Sequence, residues 1–104
     1  MKLERTYEFT DAEVLARLRA LTDYWEKKHG VVSTWAGNRA SLKGKVLGVR
    51  FEGTVDIGGG AIVADVQTGL LAERLGGKRY VESKLDDYLS PDVSLETLLA
   101  RIPR

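Results

Sequence analysis

Between residues 48 and 57 apolar and polar side chains alternate without a break. Val49, Phe51, Gly53, Val55 and Ile57 fall on one side; Arg50, Glu52, Thr54 and Asp56 fall on the other. A period of two sustained over this length predicts a β-strand with one dry and one wet face. Gly58-Gly59-Gly60 can take the positive φ angles of a tight reversal, and Ile62, Ala64 and Val66 then resume the alternation. Residues 46–67 are therefore expected to form a central hairpin whose apolar side is covered by the helices before and after it.

Upstream, Leu3, Tyr7 and Phe9 share one face of an opening strand, interrupted by Arg5. A charge leaning inward suits an edge strand, where it discourages stray pairing. Thr10 and Glu13 have the spacing of a capping box, with Phe9 and Val14 placed as a hydrophobic staple. The helix they open should run to His29 and stop at Gly30, with Lys27, Lys28 and His29 at the negative end of its dipole. Val14, Leu18, Leu21 and Trp25 make its apolar stripe, widened by Leu15. Residues 31–36 and 39–43 read as strands around a Gly37-Asn38 turn, and Gly44-Lys45 as the turn into the hairpin.

Downstream, Leu70, Leu71 and Leu75, then Val81, Leu85 and Leu89, predict a second helical region opening at Thr68-Gly69 and ending at Ser90-Pro91. Gly76-Gly77 should kink or break it, at roughly 1 kcal/mol per glycine. In the tail, Ser94 is a helix cap, and Leu95, Leu98, Leu99 and Ile102 follow the spacing of an amphipathic helix. So short a helix is marginal alone and must dock on something. The expected architecture is α+β: an antiparallel meander of about four strands, in the order β-α-β-β-β-α, covered on one face by two helices, plus the short C-terminal helix. Residues 1–90 form the single domain and 91–104 the amphipathic tail.

A chain of 104 residues suits one domain, and 43% hydrophobic with 30% charged residues suits a folded one. Cysteine is absent, which excludes disulfides, thiol nucleophiles and thiolate metal sites. Without a membrane-length apolar run or a signal-peptide core, a cytoplasmic location is expected. Net charge is +1, but unevenly spread. Lys27, Lys28, Arg39, Lys43, Lys45 and Arg50 fall in a stretch without acids; Glu52, Asp56, Asp65 and Glu73 fall in a stretch without bases. The basic run is either an anion-facing patch or one half of cross-strand charge pairing, and the second reading is preferred.

No catalytic constellation emerges. His29 is the single histidine and fits a dipole partner. Asp86 and Asp87 are adjacent and do not share a helix face. Gly58-Gly59-Gly60 lacks the Gly-Lys-Ser/Thr ending of a phosphate loop. No cofactor or metal is expected. Trp25 belongs to the helix stripe, whereas Trp35, on a strand before a turn, packs in the body or lines a pocket or partner surface. With Leu95, Leu98, Leu99 and Ile102 it forms the candidate interaction surface.

Three segments resemble the bacterial polyhydroxyalkanoic acid system protein family (granule-region proteins): Trp-Ala-Gly-Asn-Arg-Ala at residues 35–40, Gly-Val-Arg-Phe-Glu-Gly-Thr-Val at 48–55, and Leu70-Leu71 opening a charged helix with Leu85 and Leu89. The likeness spans about residues 6–89. Gly48 to Gly53 is longer by two than the family's usual glycine-valine-x-glycine, Gly76-Gly77 interrupts a helix the family continues, and the tail from Pro91 has no counterpart. The resemblance implies a role in polyester storage and brings no catalytic residues. The expectation is a non-enzymatic interaction protein meeting a storage-granule surface or granule proteins, with a homodimer through the tail as one arrangement. The alternatives are a carrier of a small apolar ligand or lipid between sheet and helix, and, ranked last, a nucleic-acid binder through the basic 27–51 segment.

Overall fold

The structure, a computed structural model, describes residues 2–46, 49–68 and 76–103; the side chains of residues 46, 49 and 68 lie outside that description. The expectations for Gly48, the Val49 side chain, Glu73, and Leu70, Leu71 and Leu75 fall on undescribed positions.

Five strands are described: β1 (Lys2–Thr6), β2 (Val32–Ala36), β3 (Arg39–Val46), β4 (Val49–Gly58) and β5 (Ala61–Thr68). Three helices accompany them: α1 (Asp11–His29), α2 (Gly77–Tyr88) and α3 (Leu95–Ala100). The sheet is antiparallel in the order β1-β5-β4-β3-β2. The meander therefore has four strands after α1, and β1 brings the sheet to five by returning to pair with β5.

The central hairpin forms as its alternation dictates. Gly59 and Gly60 both have positive φ, 62° and 81°, the geometry of a two-residue turn that matches strand twist. Val55, Ile57, Ile62, Ala64 and Val66 are buried on its inner side, and Phe51 is half-buried there. The register carries that face across the sheet, with Ala40 opposite Val55, Val55 opposite Ala64 and Ala64 opposite Leu3. Val14, Leu18, Leu21 and Trp25 of α1 close over it, each at most 4% exposed.

Gly44-Lys45 is not the turn that glycine suggests. Both residues continue β3 to Val46, and Gly44 has no positive φ. Its smallness serves a close approach instead: a Cβ there would lie 2.9 Å from the Val31 Cα. The capping box also forms only in part. Glu13 N–H donates to Thr10 Oγ1 at 3.1 Å, but the Glu13 carboxylate accepts from Arg17 Nε at 3.2 Å. Gly30 stops α1 in the left-handed region at φ 71°.

Gly76, at φ 89°, stands before the first turn of α2, so the glycine pair marks a helix boundary. Ser94 Oγ caps α3 by accepting from Thr97 N–H at 3.1 Å. The tail folds back on its own chain. α3 packs on α1, and Leu98 is completely buried. Arg101 Nη1 bonds Asp87 Oδ2 at 2.6 Å and lies above the Tyr88 ring, tying the tail to the end of α2.

Two arginines close the helical layer. Arg5, on the inner face of β1, reaches α2 and bonds Glu82 Oε2 and Asp86 Oδ1, both at 2.8 Å. These bonds, Asp86 first, raise its guanidinium pKa further above the ordinary value. Arg17 is the larger surprise. It is 3% exposed and donates to the Tyr88 and Ser90 carbonyls at 3.1 and 3.3 Å. Its guanidinium also lies 4.2 Å from the Phe9 ring centroid. These carbonyls belong to the C-terminal end of α2, where a cation complements the dipole.

Candidate interaction surface

The three described helices pack on one face of the sheet, and among the described residues none covers the other face. Its side chains are the wet half of each alternation: Thr34 and Val32 from β2, Arg39, Ser41 and Lys43 from β3, Glu52 and Thr54 from β4, Asp65 and Gln67 from β5. They line a shallow groove of about 590 Å³. Strand register arranges them in rows. Thr34 stands opposite Ser41, Ser41 opposite Thr54, Thr54 opposite Asp65 and Asp65 opposite Lys2. Three hydroxyls thus run side by side across the middle of the face, with short side chains that let another backbone approach.

The basic segment, continuous in sequence, is divided by the fold. Lys27 and Lys28 sit in the last turn of α1, whereas Arg39, Lys43, Lys45 and Arg50 lie on the open face. There the acids interleave. Arg39 is registered with Asp56, its Nε 3.7 Å from Oδ1, and Lys43 stands opposite Glu52. Lys45 faces Arg50, the one like-charged pair in the β3–β4 register. Complementary charge across strands therefore accounts for two of these four open-face cations, Arg39 and Lys43. Lys28 lies 5.3 Å from the Tyr24 ring centroid, and its hydrogen bond to Tyr24 raises its pKa.

Trp35 is on the inner face, half-buried. Its Nε1–H donates to Thr22 Oγ1 at 3.2 Å, and the Arg19 guanidinium lies 5.5 Å from its ring. That bond ties the indole to α1. Among the tail candidates, Leu98 is a core residue rather than a surface one, because α3 docks in cis. Leu95 and Ile102 are half-buried, and Leu99 keeps 50% of its surface exposed. Sequence reasoning named the tail because amphipathic spacing cannot say which body its apolar side meets. It passed over Thr34, Ser41 and Thr54, whose only signal was their place in the polar phase of three alternating strands.

Beneath α1 lies an apolar cavity walled by Trp25, Trp35, Phe51, Val66, Val81 and Leu85 among others. Its volume is about 30 Å³, room for about one water-sized group. Ligand pockets run to ~300–1,000 Å³, so this space is a packing defect in scale. At its edge Trp25 Nε1–H donates to the Tyr80 hydroxyl at 3.1 Å, and burial raises the Tyr80 pKa. Asp86 and Asp87 turn to different partners, Arg5 and Arg101. His29 stands edge-on to Tyr24. Among the described residues no cluster of His, Asp or Glu could hold a metal ion, and no helix is long and apolar enough to cross a membrane.

In comparisons with known proteins the chain matches no family model, no curated protein and no solved structure.

Proposed function

We propose that this chain is a non-enzymatic interaction protein of a bacterial polyester-storage system, and that it binds a granule-associated protein through the open face of its sheet. The observation that carries this reading is the registered row Thr34–Ser41–Thr54 on a sheet face that no described helix covers. The segments that resemble the granule-region family contribute to that face: Arg39 comes from the first, and Arg50, Glu52 and Thr54 from the second. A protein partner suits this surface better than bare polymer. Its hydroxyls and paired charges would lose water against a polyester without gaining partners, and the apolar stripe that could meet a polymer is turned inward on α1.

The test is co-sedimentation with granules from a polyester-storing bacterium, using intact granules and granules stripped of protein by protease. The parent chain should sediment with intact granules and stay in solution with stripped ones. Ser41→Arg combined with Thr54→Arg fills the open face without touching the core, so it should abolish sedimentation while circular dichroism stays unchanged. Equal binding to stripped granules, or undiminished binding by the double variant, would overturn the reading.

A further inference from the structure

The sheet has two edges, and they are built differently. β1 carries Lys2, Glu4 and Arg5, with Arg5 held by two carboxylates of α2. Such charges keep an edge from pairing with other chains. β2 has the sequence Val-Ser-Thr-Trp-Ala, with no charge, proline or glycine. Among the described residues its ladder runs to β3 on one side only. Val32, one of two large hydrophobic residues left exposed among the described positions, stands on this strand at 65% exposure.

From this asymmetry we infer that β2 pairs with the β2 strand of a second copy of the chain, antiparallel about a twofold axis at Thr34. The strand complements itself in size. In that register Val32 meets the partner's Ala36, Ser33 meets the partner's Trp35, and Thr34 meets the partner's Thr34. Each large side chain faces a small one, and threonine opposite threonine is a favourable cross-strand pair. Charge does not oppose it. The nearest cations in the same row, Lys43 of one copy and the partner's Arg39, would be three strand spacings apart, about 14 Å. That exceeds the screening length of about 8 Å at physiological salt. The outcome is a continuous ten-stranded sheet in which the hydroxyl row of one copy runs into that of the other across the axis. Five pairs along one edge make a small interface, so the dimer is a micromolar one.

Sedimentation velocity of the full chain between ~1 and ~500 µM reads this directly, since one chain weighs 11.5 kDa and the dimer twice that. The parent should pass from monomer to dimer within the range. Thr34→Lys sets two ammonium groups opposite each other at the axis and should weaken association at least tenfold, as should Thr34→Glu. An equimolar mixture of the two variants should recover a heterodimer, seen as the mixed mass by native mass spectrometry. Thr34 is exposed, so both variants should keep the parent's circular dichroism. As a readout that needs no variant, amide exchange at residues 32–36 should slow with rising parent concentration. A parent that stays monomeric, a Thr34→Lys variant that dimerises like the parent, or a mixture that stays unpaired would each overturn the inference. Granule co-sedimentation plays no part in these measurements, so failure here and failure of the proposed partner binding are separate results.

Discussion

Replacing Arg17 by methionine separates two accounts of what holds the helical layer together. If Arg17 were only the second half of an i,i+4 pair with Glu13, its loss would cost ~0.3–0.5 kcal/mol. The geometry assigns it more. The side chain is 4% exposed and bridges from α1 to the Tyr88 and Ser90 carbonyls, while stacking on Phe9. Methionine fills similar space but leaves the Tyr88 carbonyl without its donor, at ~1–3 kcal/mol for a buried unsatisfied group, while the Ser90 carbonyl keeps the Val93 N–H at 3.2 Å. Relief of the buried guanidinium's desolvation offsets part of this. The expected net loss is about 1–2 kcal/mol. For a domain of this size that lowers the melting temperature by roughly 5–15 °C. Urea unfolding should show a shifted midpoint with an unchanged slope. Glu13→Gln is the internal control: the Glu13 side chain is 36% exposed, and its removal should cost no more than ~0.5 kcal/mol. If Arg17→Met is as mild as Glu13→Gln, the bridge to the end of α2 contributes nothing and the reasoning fails.

Three further outcomes are expected. Leu98→Ala should cost ~2–5 kcal/mol in urea unfolding and Leu99→Ala within ~0.5 kcal/mol, because the first is fully buried and the second half exposed; equal effects would contradict docking of the tail in cis. Gly53→Ala should destabilise by ~1–3 kcal/mol, since its Cβ would stand 2.7 Å from the Asp65 carbonyl oxygen, a backbone atom that cannot swing aside. Burial, followed by the bond from its hydroxyl to Asp11, pushes the Tyr7 phenol up to about 12 from its ordinary 10.0; its contribution is therefore complete below pH 10 and fades as pH rises through 12, and Tyr7→Phe should flatten the stability curve over that interval.

Much of the fold was legible because its signals are local. The alternation of β4 and β5, the Gly59-Gly60 reversal, the Thr10 and Ser94 caps and the Gly30 stop each follow from a few neighbouring residues. Arg5 as the mark of an edge strand was legible too, although its partners Glu82 and Asp86 were not. What escaped was nonlocal. Nothing near Lys2 indicates that its strand closes on β5, and nothing near Arg17 points to carbonyls 71 and 73 residues away. Gly44 misled because a glycine can serve either a turn or a close approach, and only the position of Val31 tells which. The Thr34–Ser41–Thr54 row escaped for a related reason: an apolar stripe is conspicuous in sequence, whereas a row of hydroxyls exists only once strands are in register.

The tail offers a final test, because its removal should imitate the function once expected of it. Ending the chain after Ser90 takes away Leu98, the Arg101–Asp87 bond and the packing of α3 on α1. Leu98 is completely buried in the hydrophobic core, and uncovering the positions it packs on leaves an apolar strip on the surface. The truncated chain should melt lower, bind the dye ANS, and adhere to bare polyester more than the full chain does. Taken alone, that adhesion would look like proof that the tail inhibits granule binding. The distinction lies in the open face: Ser41→Arg with Thr54→Arg should leave adhesion of the truncated chain intact, since the newly exposed strip is on the opposite side of the sheet. A truncated chain that neither melts lower nor binds the dye would mean that α3 covers nothing of consequence.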